Sequence, residues 1–200
     1  METKIIIKEE TAIVLDFLPN GYPFDKTPSH RKTAIAQAIG TVKFTLLELV
    51  PRKDIFLRPL EEVYIGEGKR DKIHHINGRL ALEKLTQTAK LELDTIIRDI
   101  IHKNEQKFVS FFNKAQPLSI RMHSLELLPG VGKKHVRELL DERRVEDFKN
   151  FKDVKDRVKL MPDPETVIFK RIMLELEDDV LNHYIFARPP VKEAPFGKRF

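Results

Sequence analysis

Leu128-Pro129-Gly130-Val131-Gly132-Lys133-Lys134 is the stretch on which the fold of this chain turns. Two glycines around one apolar residue, a proline before them and two lysines after, permit a compact bend between short helical runs. A glycine backbone approaches a ligand closely, and the first amides of the helix that follows have no partner inside it. The helix dipole adds partial positive charge at the same end, so a phosphate oxygen is the ligand it attracts. The expected grip uses backbone at Gly130, Val131 and Gly132, with Lys133, Lys134 and Arg137 reaching neighbouring phosphates. None of these groups reads a base edge, so the expected binding tolerates sequence and weakens with salt.

Outward from the bend, the spacing predicts helices over 119–127, with Ser119 as cap, and over 133–143. A further pair is expected over 153–160 and 165–176, the last started by Asp163 and Pro164. Before them, Leu93, Ile96, Ile97, Ile100, Ile101, Phe108, Phe111 and Phe112 recur at three- and four-residue steps. That is a packing stripe on helices connecting 81–116. Earlier still, apolar and β-branched runs at 12–18, 43–50 and 62–65, separated by turn residues, predict a small β-barrel over 1–80. The helical domain is assigned to 117–182, and 183–200 to a return strand and a loose basic tail. The fold class expected is α+β.

Composition sets the outer limits. The chain has 200 residues and no cysteine, which excludes a disulfide framework, a thiolate metal site and a cysteine nucleophile and fits a reducing, cytoplasmic setting. No stretch predicts a membrane span or an export signal. The net charge of +5 is too small to announce a nucleic-acid binder, so local clusters carry that reading. Lys69, Arg70, Lys72 and Arg79 form a secondary basic surface, Lys26, Arg31 and Lys32 another, and Tyr22, Phe24 and Tyr64 are stacking candidates on the barrel.

Ser124 to Lys134, read as Ser-Leu-Glu-Leu-Leu-Pro-Gly-Val-Gly-Lys-Lys, resembles the helix-hairpin-helix motif of DNA- and RNA-binding proteins. The resemblance implies a phosphate held by hairpin amides and a monovalent cation held by the carbonyls of Glu126, Leu128 and Val131. Met161-Pro162-Asp163-Pro164 resembles the degenerate partner of a tandem pair; lacking glycine and carrying an acid, it is expected to be structural. The whole chain is similar to an archaeal family of unknown function that joins an OB-like barrel to a tandem helix-hairpin-helix domain and is described as predicted RNA-binding. That similarity rests on Leu15-Asp16-Phe17-Leu18-Pro19, on residues 44–50, on Val63-Tyr64-Ile65-Gly66, on Asp71-Lys72-Ile73, on the hairpin, and on Phe186-Ala187-Arg188-Pro189-Pro190. It implies an OB-like N-terminal barrel and RNA, in preference to DNA, as partner.

The alternatives follow from the same residues. His74-His75 invites a metal site, but neighbours on a strand point to opposite faces and no third ligand stands at suitable spacing, so no metal is expected. Glu61-Glu62 and Glu177-Asp178-Asp179 read as solvated acids rather than a two-metal nuclease site. Tyr64-Ile65-Gly66-Glu67-Gly68-Lys69-Arg70 lacks the Walker spacing and reads as a turn. A DNA-processing enzyme gripping through the hairpin is the rival reading, without an identifiable catalytic residue: Asp147 and Asp153 follow the hairpin with no supporting constellation. A scaffold in a ribonucleoprotein is the third. The reading taken forward is a non-catalytic nucleic-acid binder without a cofactor.

Overall fold

A computed structural model describes residues 8–23 and 33–189. The chain divides into two compact units, one formed by residues up to Ile96 together with those from Glu175 on, the other by Ile97–Leu174. The cluster Lys26, Arg31 and Lys32, the ring of Phe24, and the tail from Pro190 lie outside the described residues.

The first unit is built on an antiparallel sheet of β1 (Thr11–Leu18), β2 (Ile35–Gly40), β3 (Leu46–Pro51), β4 (Glu62–Tyr64) and β5 (Ile73–Arg79), ordered β4-β1-β2-β3-β5. The expected small barrel is a curled half-barrel: among the described residues β4 and β5 do not pair. The cause is local, since β4 is three residues long and the chain then turns away through Gly66–Arg70, where Arg70 Nε donates to the Gly66 carbonyl at 2.8 Å. Ala12, Val14, Ala36, Ala38, Leu47, Leu49, Val63 and Ile73 form its core.

Two strands escaped the sequence. In β2 all six residues are buried, but Ile-Ala-Gln-Ala-Ile-Gly does not alternate, and its alanines favour helix. Its Gln37 is fully buried and fully used: Nε2 donates to Tyr22 Oη and the Lys84 carbonyl, both at 3.0 Å, and Oε1 accepts from Thr86 N at 2.8 Å. In β5 only Ile73 is buried, as suits an edge strand. Its register shifts between the pairs Val50↔His75 and Pro51↔Ile73, leaving His74 as an extra residue. This bulge corrects the opposite-faces argument, because the His74 and His75 rings meet with their Nδ1 atoms 2.7 Å apart.

Two buried or half-buried carboxylates pin the irregular parts of this unit. Glu9 accepts the amides of Val42 (2.8 Å), Lys43 (2.9 Å) and Thr45 (3.1 Å), fixing the β2–β3 turn. Phe44 in that turn is fully buried at φ 50, a conformation that costs a side-chain-bearing residue about 1 kcal/mol and persists only where the surroundings impose it. Glu175, 0% exposed, accepts the amides of Ile185 (2.7 Å), Phe186 (2.9 Å) and Ala187 (2.7 Å). The return strand expected after 182 is therefore an irregular segment, gripped by a side chain instead of by a ladder, and Arg188 N ties it to the turn by donating to the Lys43 carbonyl at 2.9 Å.

Helices α1 (Gln87–Lys103) and α2 (Glu105–Lys114) occupy the predicted connection and are interrupted at Asn104, whose Nδ2 donates to the Ile100 carbonyl at 2.8 Å. In the second unit Ile97, Ile100, Ile101, Phe108 and Phe112 are buried, as the stripe requires. The helix expected over 119–127 is not formed. A short hairpin, β6 (Pro117–Ser119) with β7 (Met122–His123), precedes a single 3-10 turn at Ser124–Leu127. Pro117 breaks the preceding helix, and Ser119 Oγ accepts from Arg121 N at 3.3 Å, closing a turn rather than capping a helix. After α3 (Lys133–Val145) come α4 (Phe151–Arg157), two residues ahead of its predicted start, and α5 (Pro164–Glu177). Asn150 caps α4 by accepting Asp153 N at 2.7 Å, and Leu160, at φ 64 and 85% exposed, lies beyond its end. Asp163 caps α5, accepting Thr166 N at 3.1 Å.

Candidate nucleic-acid interface

The bend at 128–132 presents its backbone outward. Leu128 and Val131 are buried and anchor it, while Gly130, Gly132, Lys133, Lys134 and Arg137 are exposed. Gly130 adopts φ +87, where a side chain is strained, and a Cβ there would lie 3.2 Å from Pro162 Cγ. The loop that carries Pro162 thus lies close to the bend on one side. Nothing lies within 4 Å of a Cβ built at Gly132, so the other side is open.

The amides divide unequally. Val131 N donates to the Leu128 carbonyl at 3.0 Å and is spent in the turn, which corrects its place among the expected phosphate contacts. Gly132 N reaches His135 Nδ1 only at 3.4 Å, a weak bond. The amides of Gly130, Lys133 and Lys134 have no hydrogen-bond partner among the described residues, and the first turn of α3 holds no acid, while its N-cap, Gly132, has no side chain to accept them. Lys133, Lys134 and Arg137 are without ion pairs there as well.

Beside it lies a groove of about 470 Å³ lined by Ile120, Arg121, His123, Glu126, Lys133 and Arg137, among others. Arg121 and His123 are additions the sequence did not single out; they arrive on the β-hairpin that replaces the expected helix. His123 Nδ1 accepts Leu125 N at 3.1 Å, so in the neutral ring the proton resides on Nε2, which is buried and has no partner. Burial, then the nearby Arg143 charge, holds the imidazole below its ordinary value, with Glu126 opposing them. A buried donor without an acceptor costs about 1–3 kcal/mol.

The secondary basic surface is only partly assembled. Arg70 and Arg79 line one groove of about 1030 Å³ in the first unit, together with Tyr64 and Arg188, whereas Lys69 and Lys72 do not line it. Lys72 pairs with Glu61, holding that carboxyl below its usual range. Tyr64 Oη accepts Gly68 N at 3.1 Å, and the ring lies so close over Gly66 that any Cβ there would collide with it. The two glycines of that loop therefore seat a ring. Tyr22 donates to Glu48 Oε2 at 2.7 Å, and burial leads the causes that push its hydroxyl up to about 12. Among the described residues no three His, Asp or Glu side chains gather as a metal site. No described helix is long and apolar enough to cross a membrane.

These features define a class: a mixed α+β protein with a curled antiparallel sheet and, among the described residues, five helices, one of them opened by a glycine bend. The chain belongs to the family described as "Protein of unknown function (DUF655)", which it matches over residues 8–188. It is 40% identical over 181 residues to the uncharacterized protein MJ0038 of Methanocaldococcus jannaschii, covering 90% of this chain and 80% of that one. The crystal structure of Af1531 from Archaeoglobus fulgidus is similar at a TM-score of 0.81 and 43% identity, covering 90% of this chain and all of that one.

Proposed function

We propose that this protein binds the phosphate backbone of a nucleic acid, RNA in preference to DNA, and performs no chemistry on it. The bend and α3 act as a helix-hairpin-helix-type grip in which a 3-10 turn stands in for the first helix, and the half-barrel is the remnant of an OB-like barrel. The observation that carries the reading is the set of unpartnered amides at Gly130, Lys133 and Lys134 beneath the unpaired cations Lys133, Lys134 and Arg137. Arg121 and His123 Nε2 extend the same surface with one cation and one buried donor seeking an acceptor. The preference for RNA rests on the family resemblance alone.

Four cations on phosphates imply a log–log salt slope of about −3 to −4, or about 100-fold weaker binding at 200 mM than at 50 mM salt. Fluorescence anisotropy with labelled RNA and DNA strands and hairpins measures this. The double variant Lys133→Glu, Lys134→Glu is expected to keep its fold, since both side chains are exposed, and to bind at least about 10-fold more weakly. Salt-insensitive binding, or a double variant that binds as the parent does, contradicts the grip; retention of ribonucleoprotein partners in its absence would favour the scaffold reading. A monovalent cation at the carbonyls of Glu126, Leu128 and Val131 belongs to the same proposal, and replacing potassium by a bulky organic cation at fixed ionic strength should then weaken binding.

A further inference from the structure

Thr45, Arg79 and Arg188 line a crevice of about 10 Å³ in the first unit, room for a single water-sized atom. All three also line the larger groove of about 1030 Å³, so the crevice forms part of its wall. Thr45 is 5% exposed, and its Oγ1 is a buried hydroxyl with no hydrogen-bond partner. The Arg188 guanidinium has no partner among the described residues, and that of Arg79 is held only by Nη1 donating to the Pro189 carbonyl at 3.1 Å. Two like charges share one wall, and neither has an ion pair with a carboxylate among the described residues. The Arg188 charge and burial together make the Arg79 cation less favourable, burial being the larger cause.

This juxtaposition is imposed by the fold. The Glu9 carboxylate fixes the turn that carries Thr45, and Glu175 fixes the segment that delivers Arg188. The acids lining the groove are Glu9, Glu10 and Glu67. Glu67 is paired with Lys8 at 2.6 Å, and Glu9, though its oxygens are engaged by three amides, keeps its charge, leaving Arg70, Arg79 and Arg188 against Glu9 and Glu10.

From these contacts we infer that Thr45 Oγ1 and the guanidinium groups of Arg79 and Arg188 form an oxyanion site for one phosphate group. One phosphate oxygen enters the crevice and accepts the Thr45 hydroxyl proton in a hydrogen bond; the other oxygens remain in the groove, where the arginines reach them as planar forks. Tyr64 and Arg70 lie along the same groove to meet whatever is attached to that phosphate. The site stands apart from the hairpin reading, since it uses none of the hairpin residues.

Isothermal titration of the full chain with inorganic phosphate tests it, with chloride at equal ionic strength as the reference. Saturable binding is expected, on the order of 10-fold weaker in Thr45→Val, which keeps the shape and removes the hydroxyl, and on the order of 30-fold weaker in Arg188→Gln. Arg188 is exposed, so its variant folds even if Thr45→Val does not. The Lys133→Glu, Lys134→Glu double variant should bind phosphate as the parent does, which separates failure of this site from failure of the hairpin grip. Competition by adenosine 5′-monophosphate but not by a 5′-hydroxyl oligonucleotide assigns the site to a phosphate monoester; competition by the oligonucleotide assigns it to chain phosphates. Absence of saturable binding, or affinity unchanged in both Thr45→Val and Arg188→Gln, overturns the site.

Discussion

The bend before α3 and the wall formed by Thr45, Arg79 and Arg188 offer positive charge to an anion by opposite means. At the bend the donors are backbone amides within five residues of sequence, exposed and held by local turn geometry beside Pro162. At the wall the donors are side chains from three separate segments of the sequence, at positions 45, 79 and 188, and Glu9 and Glu175 hold the first and last of those segments through six backbone amides. A site made from a turn can lose its ligand-binding side chains with little harm to the fold. One made from carboxylate clamps ties binding to stability.

Glu175→Gln is the severest way to break that contrast. An amide cannot accept all three N–H groups and turns its own donor toward them, so unfolding should become easier by about 3 kcal/mol. Chemical denaturation reads this, and phosphate affinity in the first unit should fall with it; a variant as stable as the parent would show that the clamp is not what holds 185–187. The charge reversal at Lys133 and Lys134 comes next, with its loss of at least about 10-fold in nucleic-acid affinity and an unfolding midpoint close to that of the parent. Gly130→Ala sharpens the comparison from the backbone side. At φ +87, with Pro162 Cγ 3.2 Å from the new Cβ, it should cost about 2 kcal/mol in thermal denaturation, whereas Gly132→Ala, with open space around it but at the N-cap of α3, where alanine is the poorer cap, should cost about 0.5 kcal/mol.

The smallest effect is the pH response of His123. Its pKa in the folded chain lies below the ordinary 6.5, so the folded state prefers the neutral ring. The unfolded chain therefore takes up the proton first as the pH falls. The contribution is fully present above about 6.5 and is lost below it, down through the folded value. His123→Gln should flatten the stability profile in that window, and denaturation at several pH values shows whether it does.

Legibility followed the range of each interaction. The bend could be read because its meaning lies in seven consecutive residues, and the burial stripe of α1 and α2 because helical periodicity repeats locally. Ser119 and the apolar residues after it fit a helical start as well as a tight hairpin; the His123–Glu126 reciprocal capping that fixes the 3-10 turn is local, but histidine is not among the residues that ordinarily mark a helix start. β2 was missed because a strand buried on both faces does not alternate, and β5 because its bulge breaks alternation at His74. Nothing local links Thr45, Arg79 and Arg188, and the partners of Glu9 and Glu175 are backbone amides, which every residue but proline has. Those clamps leave no compositional trace.

The claim everything else leans on is that the bend offers its amides to phosphate, and backbone amide resonances report on it residue by residue. Titrating an isotope-labelled sample with a short RNA hairpin at low salt should shift Gly130, Lys133 and Lys134 along a saturating curve, leave Val131 comparatively still, and reverse when salt is added. If those three resonances stay in place while the RNA binds elsewhere, or if no RNA or DNA binds at all, the account is wrong.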